Sequence, residues 1–379
     1  MPSEDRTCSQ VAFIVKGPPT YMNAEEAWFR FWRKKHGSVL ILLVPVGNPH
    51  NRIERLNAII DRSLWDRIEW VFLRSNVSYK KTADGDFIKY RMPFFQKIYT
   101  YVLDKIKLDR LARRIGVCDL VFSGHNDVQE HLAAKLNPKE LFLLDSGMTV
   151  LSRVTFSGYI DYRNNISRRW QKFLKVVGYK IFNRERTALF SSYAISSQTK
   201  HKIVENKHEK KQSDVSLMSV SKKVFWISAP LVDRRNVSIA AYVDYIKASV
   251  TALGYNPVNV VYIPHPGKEA DLNVKKIVNS LGCDLDDRLY PLEIKLIRCD
   301  FLPEICISPF SSSLTNLAIF VGDRVKLYSA WHYEFDCFPQ LVNWRKEMVK
   351  QFPKRIKFIP VNDCKPLFGF ENINDVKSK

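Results

Sequence analysis

Short apolar runs and amphipathic helices alternate along this chain, halt at a polar stretch near the middle, and then resume. Val11 to Val15, Ser38 to Val44 and Ile68 to Leu73 each read as a buried strand, the second stopped by Pro45. Gly17-Pro18-Pro19 reads as a turn, followed by a helix from about Asn23 to Lys35. Pro93 to Ile115 has apolar residues at helical spacing and a basic opposite face, which predicts a long amphipathic helix. Strands at Asp119 to Phe122 and Leu141 to Leu144 bracket a helix at Val128 to Leu136. A second basic helix, Ile166 to Asn183, and a strand near Ser191 to Ile195 close the first half. Such alternation predicts an α/β fold, with helices on both faces of a parallel sheet.

Thr199 to Lys223 is rich in Lys, Ser, Gln and His and poor in apolar residues, so it reads as an interdomain linker. Strands then return at Val224 to Ser228, Asn259 to Ile263, Glu304 to Ile307 and Val325 to Tyr328. Helices at Ser238 to Leu253, Val274 to Leu281 and Ser312 to Phe320 separate them. The expected organisation is an α/β domain over residues 1–198, a basic polar linker over 199–223 and a second α/β domain over 224–379. A chain of 379 residues is long for one core and ordinary for two.

The formal net charge of +20 bears on partners rather than on fold: nucleic acid, an anionic membrane face or an acidic polymer. No RNA-binding signature, zinc-finger spacing or basic zipper accompanies it, so nucleic acid is not the expected partner. No run of about 18 apolar residues suggests a transmembrane helix. The polar start, Met1 to Arg6, lacks an apolar signal region. Seven scattered cysteines without a CxxC pair read as reduced thiols. These readings place the protein in the cytoplasm, in solution or peripheral on a membrane.

The chemistry-bearing residues gather where strands end. Val260-Val261-Tyr262-Ile263 gives way to Pro264-His265-Pro266, and Glu304 to Pro309 to Phe310-Ser311-Ser312-Ser313. Leu143-Leu144 leads into Asp145-Ser146-Gly147. Ligands of open α/β sheets sit outside the carboxyl ends of the strands. There a histidine can protonate a leaving phosphate, and serines at a helix start can hold phosphate oxygens. A base, an acid and a phosphate cradle suggest group transfer from a nucleotide. Each has a plainer alternative: Asp145 as a cap, His265 as a loop residue, the serines as an N-cap. Glu293 reads equally as a ribose acceptor or a solvent-facing acid before Lys295. Glu269 reads as a first-turn helix acid, and Asp284-Leu285-Asp286 as a solvated turn rather than a metal-binding pair. His125, in Ser123-Gly124-His125-Asn126, borders the same half as Asp145 or simply opens a helix.

The ordered set Asp145-Ser146-Gly147, Pro264-His265-Pro266 and Ser311-Ser312-Ser313 resembles the motifs of the bacterial sialyltransferase group of GT-B glycosyltransferases, which includes lipooligosaccharide sialyltransferases and capsular polysialyltransferases. That group carries acidic-acidic-Gly, His-Pro and Ser-Ser motifs in this order; here they are about 120 and about 46 residues apart. Softer matches are Val15 to Pro19 with Asn23 to Glu26, Trp226 to Val232, and Tyr290-Pro291-Leu292-Glu293. The resemblance implies a GT-B-like fold, two Rossmann-like α/β domains facing a central cleft. It implies an inverting, metal-independent enzyme that moves sialic acid or a related nonulosonic acid from a CMP donor to a glycan such as lipooligosaccharide or capsule.

In that reading Asp145 is the general base and His265 the general acid. Pro266, Glu293, Ser311, Ser312 and Ser313 hold the donor, while Gly147 and His125 face the acceptor. Ser146 departs from the second acidic position of the motif. No cofactor is implied beyond the CMP-activated sugar, and the partners are that donor and an anionic glycan or glycolipid at the inner membrane. Two rival readings are a CDP-alcohol phosphotransferase of the teichoic or capsular polymerase type and a non-catalytic binder of an anionic polymer.

Overall fold

The structure is a computed structural model that describes residues 10–33, 35–46, 50–74, 79–81, 87–89, 93–124, 126–145, 168–180, 187–193, 202–229, 231–235, 237–265, 271–287, 292–297 and 301–368. The chain divides into two compact units, Met1–Asn206 and Lys207–Lys379.

The first unit is built on strands β1 (Val11–Val15), β2 (Ser38–Pro45) and β3 (Arg67–Leu73), with β6 (Leu120–Ser123), β7 (Glu140–Leu144), β8 (Thr187–Ser191) and β9 (Ile203–Glu205). They form one sheet in the order β3-β2-β1-β6-β7-β8-β9, and every pairing is parallel. A short antiparallel hairpin, β4 (Tyr79–Lys81) and β5 (Phe87–Lys89), stands apart from it. Every residue of β1 and β2 is buried. That is what continuous apolar strands require when both sheet faces are covered. The helices are α1 (Pro18–Phe31), α2 (His50–Ile59), α3 (Phe94–Ile115), α4 (Asp127–Lys135) and α5 (Arg168–Val176). Phe13 and Phe142 both stack on Phe122, placing an aromatic layer across three neighbouring strands.

Three expectations are corrected here. The helix expected from Asn23 starts at Pro18, because Gly17 serves as its N-cap and a proline in the first turn lacks only an N–H the helix would leave unpaired. The second basic helix is shorter than Ile166 to Asn183: it ends at Val176, and Gly178 follows in the left-handed region at φ 80°. The strand expected at Ser191 to Ile195 lies earlier, at Thr187–Ser191, where an apolar run pairs with β7.

The polar stretch 199–223 is not a bare linker among its described residues. It holds β9, helix α6 (Glu209–Ser216) and the first half of β10 (Ser219–Ile227), and the boundary between the units falls at Asn206 and Lys207. The composition misled because α6 buries polar groups: Lys211 is fully buried, with Val215 and His208 beside it in the sequence. The exposed half of β10 is fixed by backbone pairing to the later strand Phe301–Ser308 instead of apolar contact.

The second unit continues with α7 (Leu231–Arg235), α8 (Ile239–Thr251), β11 (Val260–Ile263), α9 (Asp271–Leu281), β12 (Asp284–Leu285), α10 (Leu292–Ile297), β13 (Phe301–Ser308), α11 (Ser312–Phe320), β14 (Lys326–His332), α12 (Pro339–Gln351) and β15 (Ile356–Val361). Its sheet is parallel, in the order β12-β11-β10-β13-β14-β15, the strand order of the doubly wound nucleotide-binding fold. β13 begins before the expected Glu304 and runs through Pro303, a residue poorly suited to a central strand. A register shift between Ser221 and Val224 on β10 lies opposite it, a local irregularity at which the missing N–H is tolerated. Trp226, Tyr242, Tyr245 and Tyr262 are all fully buried and fill the core between the sheet and α8. The fold is thus GT-B-like in its components, two parallel-sheet α/β domains.

Candidate functional site

In each sheet the strand order reverses once, between β1 and β6 in the first unit and between β10 and β13 in the second. A crevice outside the strand ends at such a reversal is where open α/β sheets hold ligands. Among the described candidates, Asp145, His265 and Ser311 follow strands β7, β11 and β13, each at such a reversal or one strand from it.

In the first unit Asp145 directly follows β7 and is 2% exposed. Its carboxylate is held from two directions. Asn23 Nδ2 donates to Oδ1 at 2.9 Å and to the Asp145 carbonyl at 3.0 Å, and the backbone N–H of Ser192 donates to Oδ2 at 3.0 Å. Asn23 is fixed in turn, because Asn206 Nδ2 donates to its Oδ1 at 2.9 Å. A buried carboxylate is tolerable when it is hydrogen-bonded in this way, and the same bonds fix the direction in which it presents its lone pairs. The early start of α1 makes this possible, since it places Asn23 in the helix's second turn. Glu25 and Glu26 follow it and are also buried.

Beside it, at the β1–β6 reversal, Gln129 Nε2 donates to the Ile14 carbonyl at 2.9 Å. Gly124 leaves space for that amide; a Cβ there would lie 2.4 Å from Gln129 Nε2. His125 and Gly147 lie outside the described residues, as does Ser146.

In the second unit His265 stands two residues beyond β11 and is half-buried. Pro266 lies outside the described residues. Below the neighbouring end of β10, Tyr262 Oη donates to Ser228 Oγ at 2.8 Å, and the Ser228 and Tyr242 hydroxyls are 3.0 Å apart. This hydroxyl cluster satisfies the polar groups under the reversal point.

After β13 the serine run opens α11. Ser311 is its N-cap: Oγ accepts from the Ser313 N–H at 3.1 Å. The capping alternative therefore holds for Ser311, whose carbonyl also accepts from the Leu314 N–H at 3.1 Å. Ser312 is the first residue of α11, and its side chain lies outside the described part. Ser313 hydrogen-bonds Glu293, which also accepts from Asn316 Nδ2 at 2.7 Å. Glu293 is thus not a solvent-facing acid: it is 4% exposed, on α10 against α11. Burial pushes its carboxyl above the ordinary value, and the hydrogen bond from Asn316, the nearby Lys211 ammonium and Ser313 partly offset this. Ser313, Asn316 and Glu293 form one connected group.

Asp284-Leu285-Asp286 is not a solvated turn. Asp284 and Leu285 form edge strand β12, paired with Val261 and Tyr262. Asp284 is exposed beside Lys223 at 3.4 Å, whereas Asp286 is buried and bridged to Lys295 Nζ at 3.2 Å. Among the described residues no group of three His, Cys, Asp or Glu side chains is placed to hold a metal ion.

Sequence reasoning missed Asn23, Asn206 and Lys211 as members of these networks. The signal was faint: a run of polar residues, Asn23 to Glu26 without Ala24, on a helix that packs against a strand end. No helix among the described residues is long and apolar enough to cross a membrane.

No protein-family model and no curated protein matches the chain. Solved structures are similar to it in fold. The UDP-GlcNAc 2-epimerase from Methanocaldococcus jannaschii aligns over 97% of this chain and 91% of its own, at 10% identity and a TM-score of 0.50. A UGT from Glycyrrhiza uralensis, complexed with glycyrrhetinic acid 3-O-monoglucuronide, aligns over 98% and 86% at the same identity and TM-score. An Arabidopsis thaliana UGT complexed with UDP aligns over 98% and 90%, again at 10% identity and 0.50. At such identity the likeness concerns the fold, and it assigns this chain to the GT-B architecture.

Proposed function

We propose that this protein is an inverting glycosyltransferase that moves sialic acid, or a related nonulosonic acid, from a CMP donor to an anionic glycan or glycolipid acceptor. The observation that carries the reading is the clamp on Asp145. A carboxylate 2% exposed at a strand end, with a hydrogen bond to each oxygen, is built for orientation. The fold supports sugar transfer from a nucleotide donor in general, for the Arabidopsis UGT was solved with UDP. The choice of CMP rests on the order of the three motifs.

In the reaction Asp145 takes the proton of the acceptor hydroxyl while the acceptor oxygen attacks the anomeric carbon. The bond from that carbon to the CMP phosphate breaks, and its electron pair passes to the phosphate oxygen. His265 donates a proton or hydrogen bond to that oxygen. Attack opposite the departing phosphate inverts the anomeric centre. The N–H groups and hydroxyls at the start of α11 hold the phosphate, and Glu293, aligned by Asn316 and Ser313, accepts from the ribose hydroxyls. His125 and Gly147 are assigned to the acceptor and Pro266 to the donor. No cofactor or metal takes part, and the protein works in the cytoplasm, peripheral to the inner membrane.

The test is a panel of CMP-sialic acid, other CMP-nonulosonic acids, UDP-sugars and CDP-glycerol, reading released nucleotide. Release from a CMP-sugar, with Asp145→Asn lowering turnover about 100- to 10,000-fold while CMP binding survives, is the expected result. Release only from a UDP-sugar or from CDP-glycerol overturns the donor assignment. Binding of an anionic polymer indifferent to Asp145 and His265 substitutions would mark a non-catalytic protein.

A further inference from the structure

The start of α3 exposes three aromatic side chains: Phe94 is 62% exposed, Phe95 83% and Tyr99 61%. Isolated exposed apolar residues need no explanation, but a cluster within six positions of one helix does. Helical spacing extends the strip, because Phe95, Tyr99 and Ile106, the last 41% exposed, fall on one face. Phe94 also touches Phe173 of α5, ring centroids 6.0 Å apart, so the strip continues onto that second helix. There Val176, one turn beyond Phe173, is 86% exposed, and Lys172 and Lys175 beside it are exposed as well.

The exposed charge around this strip is predominantly basic, although Arg114 is paired with Glu69 at 2.6 Å. Lys107, Arg110, Arg113 and Arg114 are exposed along the rest of α3. Both of its carboxylates are turned away from the outer face: Asp104 is buried and accepts from the Arg74 N–H, and Asp109 is engaged by Lys105, His131 and Lys135. The α5 segment Arg168–Val176 contains no acid.

We infer that α3 and α5 form a membrane-docking surface, with Phe94, Phe95 and Tyr99 entering the headgroup region of a bilayer whose anionic lipids the surrounding lysines and arginines contact. Rings with a polar rim of cations suit the interface between acyl chains and water. Anionic lipid is complementary in charge to a strip whose exposed charged residues are predominantly basic. The expectation from the sequence is attraction by charge alone. The exposed rings add an apolar anchor, so binding will persist at salt concentrations that screen the charges. This inference extends the membrane-peripheral location of the proposed function and depends on neither the donor nor Asp145.

Flotation of the full chain with vesicles tests it, using phosphatidylglycerol–phosphatidylethanolamine against pure phosphatidylcholine. The wild type is expected to bind the anionic vesicles about tenfold better or more, and to retain part of that binding at about 0.5 M salt, to the extent the apolar contribution allows. Phe94→Ser/Phe95→Ser/Tyr99→Ser should lose binding about tenfold or more at both salts, with its melting temperature near wild type. Lys172→Glu/Lys175→Glu should lose it chiefly at low salt. Tyr99→Trp, which asks nothing of the core, should add an emission that shifts to the blue on vesicle addition and is quenched by brominated lipid. Equal vesicle binding by the triple serine variant, no added quenching in vesicle-bound Tyr99→Trp relative to wild type, or capture of single-stranded RNA instead of vesicles would each overturn the inference. Nucleotide turnover measured on a soluble acceptor separates these outcomes from failure of the proposed reaction.

Discussion

At the end of β7 the Asp145 carboxylate takes its hydrogen bonds from Asn23, 122 positions away in sequence, and Ser192, 47 positions away. At the end of β13 the polar groups find partners close by: Ser311 caps Ser313 two residues on, and Glu293 bonds Asn316, 23 positions away. Lys295 bridges Asp286 across nine positions. The first unit therefore holds its strand-end acid only once distant segments have docked, whereas the second assembles its cradle largely from one contiguous stretch. The exception is Lys211, which reaches Glu293 electrostatically from the segment before β10. Long-range clamps give precision that depends on the whole unit; local ones survive wherever their helix pair survives.

The largest expected effect tests the local half of that contrast. Lys295→Met leaves Asp286 buried without its ammonium partner, and breaking a buried pair from one side costs about 3 to 5 kcal/mol. Urea unfolding should show that loss. Lys295→Met/Asp286→Leu should recover much of it, because no charge is then left buried alone. An unfolding midpoint unchanged by Lys295→Met would mean this segment is held by something other than this pair.

Acid is the next probe, and it acts on both units through buried histidines. His131 on α4 accepts from the Lys180 N–H at Nδ1 and faces Asp109 from Nε2, so the neutral ring with its proton on Nε2 fits the site. Burial lowers its pKa to about 4, against the opposing pull of Asp109. His208, at the start of α6, is pushed down to about 3 by burial and by Lys211. An unfolded chain takes up the proton near pH 6.5, while the folded one does not until about 4 or 3. The stability each neutral ring confers is therefore complete above pH 6.5 and falls as the pH drops toward the folded value. For His131 the loss is on the order of 3 kcal/mol. His131→Gln, which can keep both hydrogen bonds, should flatten this part of the acid limb of a stability–pH curve. An unchanged slope would assign the acid sensitivity elsewhere.

These same residues explain how far the sequence could be read. Strand and helix order in both units was legible, since parallel strands buried on two faces are continuous apolar runs, as at Val11–Val15 and Val260–Ile263. The strand-end position of Asp145, His265 and the serines was legible for the same reason. Their partners were not. Nothing local marks Asn23 and Asn206 as two links of one chain of hydrogen bonds, because sequence gives spacing along a helix and not which strand end the helix will meet. Stretch 199–223 failed in a related way: a buried lysine looks, by composition, like a solvated one. Glu293 read equally as a ribose acceptor or a solvent-facing acid, and the packing of α10 on α11 removes only the second reading.

Asn23→Ala sharpens the comparison from the distant side. It removes the side chain that donates to Asp145 Oδ1 and accepts from Asn206 Nδ2. Loss of orientation at the proposed base should lower kcat about 10- to 100-fold, with donor KM unchanged. Asn316→Ala in the other unit should do the reverse, raising donor KM several-fold with a smaller change in kcat. If both variants altered the same parameter, the two networks would not be serving separate substrates.

The smallest expected effect concerns Ser311. Its Oγ satisfies the Ser313 N–H, and loss of such a cap costs about 1 kcal/mol. Ser311→Ala should therefore lower stability by that amount and disturb phosphate binding only through the freed N–H, which a bound phosphate oxygen can satisfy. CMP should consequently stabilise Ser311→Ala slightly more than it stabilises the wild type, a difference of a fraction of a degree to a few degrees in melting temperature. Ser311→Gly, which loses the side chain but suits an N-cap backbone, should sit between the two. A cap whose removal weakens CMP binding instead would show that the Ser311 hydroxyl turns from its helix to the ligand, and that the local cradle rearranges as it fills.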